Sequence, residues 1–112
     1  MSVRRLVEYL DEREESPFRK WFIQLNAEAA AKVAIAMTRV EKGNFSNASS
    51  VGHGVFEYKI DYGPGYRVYF GQDGIDLVIL LAGGTKKRQN EDIRLAQQRW
   101  AAYKVRKKAG KG

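Results

Sequence analysis

The stretch GVFEYKIDYGPGYRVYFGQDGIDLVILLAGG, residues 54–84, decides the fold that the sequence predicts. Its first half alternates apolar and polar residues, which is the period of a β-strand with one buried face. Turns at Gly63–Gly65 and Gln72–Gly74 divide the stretch into three runs. The last run, residues 75–81, is almost continuously apolar, as in a central strand, and Gly83-Gly84 is expected to end it. The stretch therefore predicts an antiparallel β-meander.

Upstream of the meander, the sequence predicts one strand and two helices. Residues 3–10 are rich in β-formers and predict a first strand. Ser16-Pro17 is a helix start, because serine can cap a helix and proline suits its first turn. Asn26 can cap a second helix over residues 27–42, which Gly43 ends. The first helix has one apolar face, formed by Phe18, Trp21, Phe22 and Leu25.

The remaining segments predict a loop, a last helix and a basic tail. Residues 44–54 are polar and rich in Gly, Ser and Asn, so they predict a loop. Asn90 can cap a last helix whose first turn holds Glu91 and Asp92, as the helix dipole prefers. The basic end, about residues 104–112, is expected to fray. No repeat or linker interrupts the chain, so residues 1–112 are expected to form a single domain.

Composition excludes several classes of protein. The chain has 112 residues and no cysteine, which rules out a disulfide scaffold, a thiol nucleophile and cysteine-ligated metals. The single histidine argues against histidine-rich metal sites and against a nuclease with two catalytic histidines. No apolar run approaches the ~20 residues of a membrane span, and the N-terminus lacks a signal-peptide core. We therefore expect a cytoplasmic location.

The positive charge is concentrated at the end of the chain. The formal net charge is +7, from 20 Lys plus Arg against 13 Asp plus Glu. Residues 86–112 hold ten basic residues against two acidic ones, which gives +8 and exceeds the total for the whole chain. Such a cluster favours a polyanion partner, either nucleic acid or an acidic protein. The alternative is a solvated basic tail without a specific partner.

The alternation divides the meander into two faces. One face is expected to pack on the helices, and the opposite face carries Glu57, Lys59, Asp61, Arg67 and Tyr69. The turn makes the two strands adjacent, so Lys59 and Arg67 can be near one another across the strand pair. Lys86, Lys87 and Arg88 emerge just beyond the next strand, so the region can hold a phosphate. The plainer alternative is a solvated sheet face with weak Glu57–Arg67 or Asp61–Lys59 ion pairs.

Several segments together resemble a known family. They are Glu57-Tyr58-Lys59, Gly-Tyr-Arg-Val at 65–68, Leu-Leu-x-Gly-x-x-Lys-Lys at 80–87, the helix over 92–100 and the helical hairpin over 17–43. In this order they resemble the RelE/ParE toxin superfamily, and most closely its HigB-like branch of addiction-module killer proteins. The resemblance implies a RelE-like α+β fold with the order β-α-α-β-β-β-α. Its antiparallel-rich sheet would carry helices packed on one face and a concave basic surface on the other.

The same resemblance implies a function. Most RelE-like proteins are toxins of type II toxin–antitoxin systems that cut messenger RNA on the ribosome and so inhibit translation. Their partners would be a cognate antitoxin, here of helix-turn-helix type, and the ribosome with its mRNA. The toxin would assemble as a homodimer or as a toxin–antitoxin hetero-oligomer. The alternatives are a ParE-like inhibitor of DNA gyrase and a non-catalytic RNA-binding domain.

The resemblance also assigns roles to residues, for a reaction that needs neither metal nor cofactor. RNA cleavage by the 2′-hydroxyl needs a base, stabilisation of charge on the phosphate and an acid for the leaving oxygen. The catalytic candidates are Arg67, Lys86 and Lys87. Lys59, Tyr69 and Arg88 are the candidates for substrate binding. The candidates for acid or base are Asp61, Glu57 and His53, and Tyr103 is interpreted as a packing residue.

Overall fold

The structure is a computed structural model, and it describes residues 3–110. This range forms an α+β fold with five strands, three α-helices and one short 3-10 helix. In chain order the elements are β1 (Arg5–Glu8), α1 (Pro17–Phe22), α2 (Ala27–Glu41), β2 (Ala48–Ser50), β3 (Val55–Ile60), β4 (Tyr66–Asp73), β5 (Leu77–Thr85), the 3-10 helix (Lys86–Arg88) and α3 (Gln89–Gly110). None of the helices in residues 3–110 combines the length and apolar character of a membrane span.

The strands form one mixed sheet in the order β1-β5-β4-β3-β2. β1 runs parallel to β5, and every other pair of neighbours is antiparallel. The predicted meander is confirmed as β3, β4 and β5, and its first turn sets Lys59 directly across from Arg67. Between β4 and β5, Tyr69 pairs with Ala82 and Phe70 pairs with Leu80, which leaves Leu81 as the extra residue of a β-bulge.

The helical hairpin begins at the predicted capping residues. The Ser16 hydroxyl accepts a hydrogen bond from the backbone N–H of Arg19 at 3.0 Å, and Pro17 occupies the first turn. The Asn26 side chain accepts from the N–H of Ala29 at 2.9 Å. Each cap satisfies a donor that the first helical turn leaves free, so both helix starts are fixed by local sequence.

Two apolar cores lie on opposite faces of the sheet. The first core joins the α1–α2 hairpin to one face, and its buried residues include Val33, Val40, Tyr58, Val68, Phe70, Val78 and Leu80. The second core joins α3 to the residues that alternate with these, and it includes Val55, Tyr69, Ile79, Leu81, Ala96 and Trp100. Strand β5 is therefore covered on both sides, which explains its continuous apolar run.

The position of α3 corrects the prediction of helices on one face. That prediction holds for α1 and α2, whereas α3 packs across the other face. The physical reason is that α3 carries its own apolar residues, among them Ala96 and Trp100, and these need a partner surface. As a result Glu57, Arg67 and Tyr69 are buried, although they were expected on an open sheet face.

Several predicted boundaries are also wrong. The predicted loop over residues 44–54 contains the edge strand β2, and the predicted strand over residues 3–10 is ordered as a strand only at Arg5–Glu8. β5 continues through both glycines to Thr85, because Gly83 and Gly84 still pair with β4. The space left by their missing side chains is occupied on the two faces by Trp21 and Asp92. The helix α3 begins at Gln89, without a cap from Asn90.

The basic end does not fray within the described residues. α3 continues to Gly110, and residues 111–112 of the predicted tail lie outside the described range. Tyr103 and Lys107 both bind the Asp73 carboxylate, which fixes the last turns of the helix to β4. Arg106 donates to the carbonyl of Leu10 at 2.7 Å. These contacts explain why the predicted tail is helical.

Gly83 tests the close approach of α1 to the sheet. A Cβ atom at Gly83 would lie 2.0 Å from the Trp21 ring, whereas a Cβ at Gly110 would meet nothing within 4 Å. We expect Gly83→Ala to lower the free energy of unfolding by about 1–3 kcal/mol, because overpacking forces the helix away. Gly110→Ala should leave it unchanged or slightly higher, since alanine favours a helix. Urea unfolding of the two variants checks this, and equal stabilities would contradict the packing described.

Candidate functional site

Arg67 lies at the centre of the candidate site. It is the second residue of β4, and it lies between Lys59 on β3 and Gly84 on β5. The sheet register therefore brings Lys59 and Arg67 together, as the sequence predicts. Of these two cations, Lys59 is exposed. The start of α3 lies over Arg67 and leaves its side chain 9% exposed.

A buried ion pair holds Arg67. Its Nε atom lies 3.6 Å from Oε2 of Glu57, whose side chain is 2% exposed. The same carboxylate oxygen accepts a hydrogen bond from Nε2 of Gln89 at 2.7 Å. A carboxylate away from water needs such partners, since an unpaired buried charge is costly. Glu57 thus joins β3, β4 and the start of α3, which disfavours its predicted role as an acid or base.

Gly65 connects Arg67 to the basic turn. Its carbonyl oxygen accepts a hydrogen bond from Nη1 of Arg67 at 3.2 Å and another from the backbone N–H of Lys86 at 2.9 Å. Gly65 has a φ of +80°, and a Cβ there would stand 3.3 Å from Arg67 Nη1 and 3.6 Å from the Lys86 Cβ. Glycine therefore permits both the turn and the close approach. Arg67 and Lys86 are held side by side by one carbonyl.

The basic turn is the exposed part of the site. Lys86, Lys87 and Arg88 form the 3-10 helix between β5 and α3, and all three are exposed. With Gln89, Asn90 and Glu91 they line a shallow cavity of about 400 Å³. Arg88 is partly neutralised, because its Nε lies 4.0 Å from Oδ1 of Asp92. The two lysines remain available to a phosphate in solution.

Tyr69 and Asp92 are buried beside the ion pair. Tyr69 has no exposed surface, so its ring is closed to a base and the predicted stacking is not supported. Burial raises the pKa of its hydroxyl well above the usual value, and the charges of Glu57 and Asp92 add to this effect. Burial likewise raises the pKa of Asp92, whose Oδ2 has no hydrogen-bond partner. That oxygen occupies the space over Gly84, where a Cβ would lie 1.9 Å away.

The other predicted residues lie apart from the ion pair. Asp61 is exposed and, with Lys59, lines a cavity of about 270 Å³ beside α2. His53 lines a separate groove along the middle of α3. Tyr103 stacks on Trp100 with ring centroids 5.2 Å apart, which confirms its interpretation as a packing residue. Burial and its hydrogen bond to Asp73 raise the pKa of Tyr103 to about 12.

Two residues of the site, Gln89 and Asp92, have no functional signal in the sequence. Gln89 carried no signal, because a glutamine before a helix has no preferred partner. Asp92 was interpreted only as a charge suited to a helix start, although the glycine pair at 83–84 could have indicated a close contact. Among residues 3–110 no group of three or more His, Cys, Asp or Glu could hold a metal ion. The arrangement instead presents lysines to an anion.

Comparison with known proteins assigns the chain to a family. The profile of the family described as "Phage derived protein Gp49-like (DUF891)" matches residues 20–101. The chain belongs to this Gp49-like family. An uncharacterized protein of Haemophilus influenzae (strain ATCC 51907 / DSM 11121 / KW20 / Rd) is 46% identical over 82 residues, which cover 71% of this chain and 82% of that protein. The residues matched by the family profile, 20–101, include the ion pair and the basic turn.

Membership in the Gp49-like family indicates the class of function. The family is phage-derived and belongs to the RelE/HigB-like toxin–antitoxin superfamily. It therefore suggests that the protein is the toxin of a toxin–antitoxin module with a cognate antitoxin. Strand β1 and the last turns of α3 lie outside the matched range.

The raised pKa of Asp92 predicts how stability depends on pH. The folded state holds the Asp92 proton more tightly than the unfolded chain, so stability is lost as pH rises through the folded pKa. Asp92→Asn removes this loss, and we expect it to raise the free energy of unfolding at pH 7. The gain should vanish below the unfolded pKa of about 3.9. Urea unfolding at neutral and acidic pH measures this.

The exposed neighbour Glu91 is the matched control. Its hydrogen bond to Arg94 lowers the pKa of Glu91, so its contribution is present above the unfolded pKa and lost as pH falls. Glu91→Gln should therefore not stabilise the protein at pH 7. A stability gain of equal size in both variants would contradict the burial assigned to Asp92.

Proposed function

We propose that this protein is the toxin of a type II toxin–antitoxin module and that it cleaves messenger RNA endonucleolytically on the ribosome, without a metal. We place it in the HigB-like branch, with a RelE-like fold and an antitoxin of helix-turn-helix type. The observation that carries this proposal is the shared carbonyl of Gly65, which holds the strand arginine Arg67 beside the exposed basic turn at Lys86.

The proposed reaction uses the 2′-hydroxyl of the RNA as its nucleophile. A base, for which we retain Asp61, takes the proton of the 2′-hydroxyl. The 2′-oxygen attacks the adjacent phosphorus, the bond to the 5′-oxygen breaks, and the products are a 2′,3′-cyclic phosphate and a 5′-hydroxyl end. Negative charge grows on the phosphoryl oxygens during this step, and nearby ammonium groups stabilise it. Lys86 and Lys87 are exposed at the basic turn, where one can bind the phosphate while the other donates a proton to the leaving oxygen.

We assign Arg67 a supporting role in this reaction. Its Nη1 is bonded to Gly65 and its Nε faces Glu57, so the exposed lysines meet the substrate first. Arg67 fixes the Gly65 turn and adds positive potential beneath the phosphate. Asp61 is the acid or base candidate that we retain, because it is exposed and follows β3 at the end that leads into the Gly65 turn.

The burial of Arg67 favours a second candidate function. An arginine occupied by protein acceptors is less available for transition-state contacts, and this suits a domain that binds RNA without cutting it. The two functions differ in their products. A nuclease creates new 5′-hydroxyl ends in cellular mRNA, and a binding domain leaves the RNA intact.

The double variant Lys86→Ala/Lys87→Ala tests the proposed function. Both side chains are exposed, and alanine keeps the backbone N–H that Lys86 donates to Gly65, so the fold should persist. We expect wild-type expression to arrest growth and to create 5′-hydroxyl ends in mRNA. The double variant should reduce cleavage about 100-fold or more, since it removes the charge that stabilises the phosphate. Sequencing of 5′ ends after kinase treatment measures this.

The matched control is Lys42→Ala, an exposed lysine at the end of α2 on the other side of the sheet. It should cleave as the wild type does. A folded double variant with full cleavage would refute the role of the basic turn. Intact mRNA together with cleaved DNA in arrested cells would identify a gyrase inhibitor instead.

A further inference from the structure

A second basic groove runs beside the middle of α3. Its volume is about 380 Å³, and it lies between the helix and the loop that leads into β3. It is lined by His53, Arg94, Gln97, Gln98, Ala101 and Lys104. We propose that this groove binds the phosphodiester backbone of single-stranded RNA. The proposal rests on the proposed function only for the choice of RNA as the polyanion.

The loop at the rim of the groove has an unusual backbone. Gly52, His53 and Gly54 have φ values of +93°, +55° and +83°, a region that residues with a Cβ rarely adopt. Gln97 Nε2 donates to the carbonyl of Val51 at 2.9 Å and ties this loop to α3. The contact keeps the exposed His53 side chain beside the helix, at the edge of the groove.

The lining supplies hydrogen-bond donors and positive charge. It contains Arg94 and Lys104, an imidazole and two amides, and it includes no acidic residue. Arg94 pairs with Glu91 at 2.7 Å, but the two side chains are 56% and 43% exposed, so a phosphate can replace this weak pair. Donors of this kind dominate contacts to the phosphates and sugars of nucleic acids.

The same lining disfavours a protein partner. A groove that accepts a peptide helix or strand offers pockets for apolar side chains, and Ala101 is the one apolar residue of this lining. An acidic peptide could meet Arg94 and Lys104, but it would leave the two amides and the imidazole without a specific role. RNA can use both sets, since amide and imidazole groups reach its sugar oxygens and base edges.

The position of the groove suits a strand that continues past the basic turn. α3 rises about 1.5 Å per residue, so Arg94 and Lys104 are separated by roughly 15 Å along the helix, a length over which a strand presents more than one phosphate. Arg94 itself follows the basic turn by less than two helical turns. The 3-10 helix and α3, which follows it directly, therefore carry the two binding regions one after the other.

Salt-dependent binding of the double variant Arg94→Ala/Lys104→Ala tests the groove. The probe is a short fluorescein-labelled 2′-O-methyl RNA, which cannot be cleaved because its 2′-oxygen is blocked. For single strands, the slope of log K against log salt changes by about 0.7 for each phosphate contact. We expect the double variant to lose about 1.4 from the slope and to bind more weakly at low salt. His53→Gly should also weaken binding, and glycine accepts the positive φ without strain.

The matched control is Arg13→Ala/Lys42→Ala, which removes the same charge from exposed positions outside the groove. Its slope should equal that of the wild type. Equal slopes in the two double variants would overturn the proposal that this groove binds RNA. A wild-type protein that does not bind the RNA would overturn it as well. If the protein instead binds polyglutamate but not RNA, and the groove variant loses that binding, the ligand is an acidic peptide and the RNA proposal is wrong. If the groove variant loses RNA binding and the wild type cuts no RNA, the proposed nuclease activity is refuted while the proposal that the groove binds RNA is supported.

Discussion

The packing of Trp100 against the sheet determines how the rest of the structure is arranged. Its ring lies where two glycines have no side chain, because a Cβ at Gly71 would be 2.5 Å away and a Cβ at Gly54 would be 2.7 Å away. The indole is thereby 6% exposed, and α3 lies close against β3, β4 and β5. This single contact gives the second face of the sheet its own core. It also places the start of α3 over Arg67.

By covering this face of the sheet, α3 buries polar atoms near its first turn without giving each of them a hydrogen-bond partner. Asp92 Oδ2 and Arg67 Nε are buried without a hydrogen-bond partner. Folded proteins contain few such atoms, and they concentrate where function has priority over stability. Both atoms lie close to the Glu57–Arg67 ion pair, since Arg67 belongs to it and Asp92 lies over Gly84, the β5 partner of Arg67. Stability is supplied elsewhere, by the two apolar cores.

The contacts of α3 also show which cations of this helix have protein partners and which are exposed. Some cations have structural partners: Arg99 donates to the carbonyl of Leu81, Arg106 to that of Leu10, and Lys107 binds Asp73. Others are exposed at the basic turn or line the groove beside the middle of α3. Net charge alone therefore overstates the number of cations available to a polyanion. The exposed cations of the basic turn and of the groove follow one another along the 3-10 helix and α3, which is the arrangement expected for an extended ligand.

The sequence by itself determined the local elements, because their signals act over a few residues. Alternation identified β3 and β4, and the caps at Ser16 and Asn26 identified the starts of α1 and α2. It also predicted that Lys59 and Arg67 can be near one another, since the turn makes β3 and β4 adjacent, and the structure pairs them directly. The tertiary structure alone decided which face α3 covers, and hence that Arg67 and Tyr69 are buried. That choice depends on Trp100 meeting glycines far away in the chain, a fit of shapes that no local pattern encodes.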